Sequence, residues 1–174
     1  MDEIRLVMPD ESYREQIWEY RARFMETKED SGGCGSLLDC DTFEEWLSQT
    51  LAMSDPATCP EGFVPADCYL AVRNADNRLV GMIDMRHHID HPVLGTWGGH
   101  IGYSVHPDER RKGYATRMLE MDLENARRLG ISRVLVTCSE GNTASEKTIL
   151  KNGGVYENSV PVEDRMVKRF WIEL

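Results

Sequence analysis

The chain has 174 residues, 41% hydrophobic and 29% charged, which fits one globular domain over 1–174. Its formal net charge of −10 disfavours nucleic acid as a partner of the whole surface, because that affinity comes from neutralised phosphates. No apolar run approaches the roughly 18–20 residues that span a bilayer, and Met1–Arg5 lacks a signal peptide's features, so no membrane partner and a cytoplasmic location are expected.

Residues 4–8 can form a first strand, stopped by Pro9. Ser12-Tyr-Arg-Glu15 has the form of a capping box, followed by Tyr13, Ile17, Tyr20 and Phe24 at helical spacing. The glycine-rich stretch Ser31–Ser36 reads as a mobile loop. A second box, Thr42–Glu45, opens a helix with Phe43, Trp46, Leu47 and Leu51 on its apolar side, and the proline-rich stretch Ser54–Pro65 reads as a loop. Tyr69–Arg73 and Leu79–Arg86 flank Asn74–Asn77 as a hairpin. Residues 87–98 form a loop, and His100–Val105 is the next strand. A helix from Gly113 to Leu129 follows, with Ala115, Met118, Leu119, Leu123 and Ala126 as its stripe and Gly130 as its left-handed cap. Arg133–Cys138 reads as a strand, Thr143–Glu146 as a third capping box before a short helix, and Arg165–Leu174 as the last strand. The strand–helix–strand unit at 100–138 implies parallel pairing, and the hairpin implies antiparallel pairing. The five cysteines, at 34, 40, 59, 68 and 138, form no C-x-x-C pair and are expected as free thiols.

The informative segment is Val105–Ala115, where proline stops a strand, a charged turn follows, and a helix starts at a glycine. Amides at a helix start lack internal partners, carry partial positive charge and can wrap a pyrophosphate. Gly113 lets the backbone approach that ligand, Ala115 keeps the first turn thin, and Arg110, Arg111 and Lys112 add positive charge. The competing reading is a basic helix cap without a ligand.

Arg110-Arg-Lys-Gly113-Tyr114-Ala115 resembles the R/Q-x-x-G-x-G/A turn of the GNAT superfamily of N-acetyltransferases. Gly98–Ser104, Asn142–Gly154 and Arg169–Ile172 resemble a branch of predicted acetyltransferases within it, over roughly residues 80–174. The resemblance implies an α/β fold with a mixed, mostly antiparallel central sheet and helices on both faces. It implies an N-acetyltransferase moving acetyl from acetyl-CoA to a primary amine by direct transfer, without a metal. In such enzymes the turn holds the pyrophosphate arm. A splayed strand, here His100–Val105, pairs with pantetheine, which makes Tyr103, Ser104 and Val105 candidates. Asn142 matches a position that contacts the pantetheine arm or its surroundings, and Ser145 lies one turn further on. Asn142 can equally be a turn residue before a Thr143 cap. Gly98, Gly99 and Gly102 serve either close ligand approach or strand packing.

Many relatives carry a Tyr seven residues after that asparagine to protonate the departing thiolate; here Ile149 stands there, and Tyr156 is the candidate substitute. Asp84, His87 and His100 are candidate bases, because a base must reach the amine directly or through one water. Asp84 can alternatively be paired with a cation such as Arg86. The segment His87-His-Ile-Asp-His91 follows a strand and precedes Pro92, which argues against a helical metal site. The loops 27–40, 54–67 and 87–98 are expected to line the acceptor site. Two other classes remain open: a non-catalytic acyl-CoA sensor and a ligand-free structural domain. The expected partners are acetyl-CoA and an amine acceptor, with a homodimer admitted.

Overall fold

A computed structural model describes residues 3–174. In chain order the elements are β1 (Ile4–Val7), α1 (Arg14–Thr27), α2 (Phe43–Ser54), β2 (Ala66–Arg73), β3 (Leu79–Arg86), β4 (Ile101–Val105), α3 (Tyr114–Arg128), β5 (Arg133–Ser139), α4 (Thr143–Lys151), β6 (Val155–Val162) and β7 (Arg165–Glu173). Strands β1-β2-β3-β4 make one antiparallel sheet and β5-β7-β6 a second.

Alternation along β2 builds two cores from one strand. Cys68, Leu70 and Val72 face α1 and α2, where Ile17, Tyr20, Phe24, Phe43 and Trp46 are buried. Ala71 faces the other way, toward Met118, Leu119, Leu123 and Ala126 of α3 and Ile149 of α4. Helices therefore cover both faces, as expected. A register shift opposite Ala71–Val72 leaves Val80 as an extra residue in β3. It puts Leu79 and Met82 in the first core and Val80, Ile83 and Met85 in the second.

Several local expectations are corrected. Asp10, not Ser12, opens the first helical segment: its Oδ1 accepts the Ser12 amide at 2.8 Å, and a 3₁₀ turn over Glu11–Tyr13 precedes α1. Thr42 does cap α2, accepting from the Glu45 amide at 3.2 Å, but Leu51 is exposed and Thr50 is buried in its stead. Asn142 caps α4, and Thr143 is its first residue. β6 was not expected as a strand. The loop at 31–36, expected as mobile, packs against the core: Cys34 is buried, with Leu37 just beyond the loop, and Trp46 Nε1 donates to the Cys34 carbonyl at 2.9 Å. All five cysteines are free, as expected.

The expected parallel pairing is also corrected. No ladder joins β4 to β5 among the described residues. The two sheets are stitched at one point: the His100 amide donates to the Leu135 carbonyl at 2.8 Å, and the Leu135 amide donates to His100 Nδ1 at 3.0 Å. Gly99 at φ 71° makes this approach feasible, since a Cβ there would lie 2.6 Å from the Leu135 carbonyl. Beyond that stitch β4 presents Tyr103–Val105 to a cleft instead of to a neighbouring strand.

Candidate active site

The turn after β4 is built by its own side chains. His106 Nδ1 accepts the Asp108 amide at 3.2 Å, and Pro107–Glu109 winds into a 3₁₀ turn. Glu109 is buried and gathers Arg73 at 2.8 Å and Lys112 at 2.7 Å. Burial pushes its carboxyl up, but Lys112 and Arg73 outweigh burial and hold it below its ordinary value. Arg111 (φ 63°) and Gly113 (φ 86°) are both left-handed, and α3 starts directly after Gly113 with no side-chain cap on that residue. First-turn amides are thereby left for a ligand rather than for a capping hydroxyl or carboxylate.

These amides floor a cleft of about 650 Å³. One wall is Tyr103, Ser104 and Val105; the other is α4, through Asn142, Ser145, Lys147 and Lys151. Arg110, Arg111, Gly113, Tyr114 and Ala115 line it at the turn. Arg111, Lys147 and Lys151 make no ion pair among the described residues. Three unpaired cations beside an uncapped helix start, in a chain of net charge −10, form a local site for a polyanion. Lys147 and Lys151 escaped the sequence reading; their i, i+4 spacing after Asn142 was the available signal, since it puts both on one helix face.

Of the expected ligand-binding residues, Tyr103, Ser104, Val105, Arg110, Arg111, Gly113, Tyr114, Ala115, Asn142 and Ser145 meet in this one cleft. Lys112 lies outside its lining and braces Glu109. The Tyr114 side chain is buried, its hydroxyl accepting from Arg73 at 3.1 Å, so the ring belongs to the core. Arg110 pairs with Glu29, which also lines the cleft. Asn142 Oδ1 is taken by the Ser145 amide at 3.1 Å.

The candidate acid and bases are dispersed. Tyr156 is half exposed on β6, bonded to Ser159 Oγ at 3.0 Å, and lines neither this cleft nor the one described below. His100 is buried at the sheet junction; burial, then Arg86 and His88, push its pKa down to about 4. With Nδ1 occupied by the Leu135 amide, it has no lone pair to offer an amine. His87 Nε2 is 3.0 Å from Asp67 Oδ2. Asp84 is buried, taking the Gly102 amide on Oδ1 at 2.8 Å and Arg86 on Oδ2 at 3.2 Å, the ion pair foreseen as its alternative role. Arg86 in turn holds the Gly98 and Gly99 carbonyls at 3.2 and 3.3 Å. Gly102 is crowded by the protein itself, since a Cβ would meet Asp84 Oδ1 at 2.9 Å and the Gly33 nitrogen at 3.1 Å.

The hydroxyls in the cleft are arranged as pairs. Tyr103 Oη lies 2.7 Å from Ser145 Oγ, and burial raises the Tyr103 pKa. Ser104 Oγ receives Tyr20 Oη at 2.9 Å and donates to the Gly32 carbonyl at 2.6 Å. Ile149 is fully buried in the core and cannot take a tyrosine's role.

A second cleft, of about 930 Å³, lies on the α1/α2 side. Gly35 and Ser36, then Pro60, Gly62, Phe63 and Val64, then His91 and Leu94 bring all three expected acceptor loops to it, with Asp84 and Arg86 also in its lining.

Residues 4–155 match the acetyltransferase (GNAT) domain family, so the chain belongs to the GNAT acetyltransferases, a class of acetyl-CoA-dependent N-acetyltransferases. Its fold is similar to that of the ribosomal L7/L12 α-N-protein acetyltransferase RimL in complex with coenzyme A: TM-score 0.73, 17% identity, covering 98% of this chain and 94% of that one. The microcin C7 self-immunity acetyltransferase MccE, in complex with acetyl-CoA and AMP, superposes with TM-score 0.73 at 16% identity, covering 100% and 94%. The ribosomal-protein-S5-alanine acetyltransferase from Vibrio fischeri gives 0.71 at 16%, covering 98% and 91%. No curated protein matches the sequence. Among the described residues no helix is long and apolar enough to cross a membrane.

Proposed function

We propose that the chain transfers an acetyl group from acetyl-CoA directly to the nitrogen of a primary amine. The observation that carries this is the convergence of the uncapped Gly113 helix start, three unpaired cations and the unladdered Tyr103–Val105 edge in one cleft. The structures of RimL with coenzyme A and of MccE with acetyl-CoA are consistent with it.

Acetyl-CoA supplies an activated acyl carbon: the amine nitrogen bonds to it, the carbon–sulfur bond breaks, the nitrogen loses a proton and the sulfur gains one. The chain's part is to bind, orient and move protons. First-turn amides of α3, with Arg111, Lys147 and Lys151, hold the phosphates. The β4 backbone at Tyr103–Val105 pairs with the pantetheine arm. Tyr103, kept protonated by burial and joined to Ser145, supplies the proton for sulfur in place of the residue that Ile149 replaces. Asp84 holds β4 and Arg86 in position, and the amine proton leaves to water. Incubation with acetyl-CoA and an amine panel should give amine-dependent release of free thiol; its absence across a broad panel would sink the proposal.

The buried Ile149 favours a second reading, a non-catalytic acyl-CoA sensor. Both readings require CoA binding, and turnover separates them.

A further inference from the structure

The second cleft is absorbed by neither the phosphate-binding turn nor the hydroxyl pair. Its walls come from α2 through Ala52 and Met53, and from the loops through Phe63, Val64 and Leu94. Phe63 is 67% exposed, so a large aromatic side chain stands in water at this cleft. Asp84 is the only carboxylate in the lining, with Arg86 beside it and His91 as a neighbouring titratable group.

From this we infer that the cleft seats the acceptor, and that the acceptor is a small primary monoamine with an apolar body. The inference rests on the acetyl-transfer reading and narrows it. Charge decides the class. A polyamine or aminoglycoside carries several ammonium groups and needs several unpaired carboxylates; this lining has a single carboxylate, already facing one arginine. A carboxylate offers about four lone-pair sites. The Gly102 amide takes one oxygen of Asp84 and Arg86 the other, and the side chain is only 11% exposed, so no more than one ammonium can approach it from the cleft. The apolar walls then reward an aliphatic or aromatic body, and such a body covers Phe63, which has a large apolar area to bury. The position suits transfer. Asp84 is the cross-strand partner of Gly102, and Ser104, two residues along β4 on the same face, lines the first cleft, so a nitrogen that gives its ammonium proton to water and leaves Asp84 is already at the strand that borders the acyl donor's site.

The test compares isopentylamine and phenylethylamine with spermidine and with a short peptide bearing a free N-terminus, at saturating acetyl-CoA. Thiol release gives kcat/KM, and calorimetry on the CoA-loaded protein gives amine binding independently of chemistry. The monoamines should exceed spermidine and the peptide at least tenfold. Ala52→Trp, which fills the cleft, should raise the monoamine KM at least tenfold, and Phe63→Ser, at an exposed position that folding tolerates, about threefold or more. Neither should change the acetyl-CoA Kd. Preference for spermidine or the peptide, or unchanged KM in both variants, overturns the inference while leaving acetyl transfer standing. Monoamine binding without turnover overturns acetyl transfer and keeps the cleft. Neither binding nor turnover of the monoamines overturns the inference outright.

Discussion

Glu29 and Asp84 illustrate how much a single carboxylate's meaning depends on what stands opposite. Glu29 pairs with Arg110 inside the donor cleft, and Arg110 holds its carboxyl below the ordinary value. The pair must open before Arg110 can meet a phosphate. Exposed pairs of this kind are worth about 0.2–1 kcal/mol, so Glu29→Gln should tighten acetyl-CoA binding by up to about fivefold at low salt, and less as salt screens the pair. Calorimetry at two ionic strengths checks this; weaker binding in the variant would give Glu29 a direct role with the ligand. Asp84→Asn keeps an acceptor for Gly102 but leaves Arg86 without its counter-charge. A lower Tm is expected, with kcat of the folded enzyme well within the roughly 10²-fold loss that marks a general base. A normal Tm with kcat down a hundredfold would restore Asp84 as the base. Tyr103→Phe should show the opposite split, with kcat down about 10²-fold and acetyl-CoA Kd within threefold. The sequence alone could flag Asp84 as an interior charge needing a partner or a task. It could not choose between them, because the choice depends on Gly102 and Arg86 converging from two strands.

At the scale of elements, α3 and its leading turn were the most legible part. Proline, glycine and an amphipathic stripe are local signals, and the turn's job depends on backbone geometry within a few residues. Gly113→Glu should therefore abolish measurable CoA binding, since a carboxylate would meet the pyrophosphate. The left-handed φ of 86° adds strain of about 1–2 kcal/mol, so a folded protein with a modestly lower Tm is expected. An unchanged Kd would remove the turn from the site. The caps were misplaced by one or two residues because Asp10 and Asn142 stand next to Ser12 and Thr143, and capping ability is similar among these types. β6 was illegible for a different reason. Val155–Val162 carries Glu157, Asn158 and Pro161, is largely exposed, and pairs only with β7, with a register break at Glu157. Edge strands tolerate such residues, so the pattern lacks the alternation that marks a covered strand. The β4–β5 relation was misread because a crossover places two strands as neighbours without requiring that they bond along their length. His100, whose side chain closes the stitch, looked like a base for the same reason.

For the whole molecule, two buried groups, His100 at the sheet junction and Asp122 on α3, set up opposing acid–base couplings. His100 has an ordinary pKa of 6.5 and a folded value of about 4. The unfolded chain binds more protons between these values, so His100 makes stability rise with pH over that window. Asp122 of α3 is fully buried, with Oδ2 unpartnered and Asn125 Nδ2 on Oδ1 at 3.0 Å. Burial lifts its pKa from 3.8 to about 7, against the Asn125 bond. Here the folded state binds more protons between 3.8 and 7, so stability falls as pH rises through that range. The two slopes oppose each other, and wild-type Tm should change little between about pH 4.5 and 6. Asp122→Asn removes one of them: its Tm should match wild type near pH 3.5, rise with pH between about 4 and 6.5 through His100, and exceed wild type by several degrees at pH 8. Equal Tm values at pH 8 would show that Asp122 ionises without cost.

Across the molecule, the first cleft was readable because one segment, 103–115, supplies about half of its lining, whereas the second cleft gathers α2, three loops and two strands that no local pattern connects. We propose direct transfer from a donor held in the first cleft to an amine. It is tested most directly by incubating the protein with acetyl-CoA carrying a heavy-isotope acetyl group and an apolar monoamine, then weighing amine and protein by mass spectrometry. Direct transfer predicts labelled acetyl on the amine, in proportion to the thiol released, with the protein mass unchanged. Tight acetyl-CoA binding with no labelled amine, or label retained covalently on the protein, would contradict it.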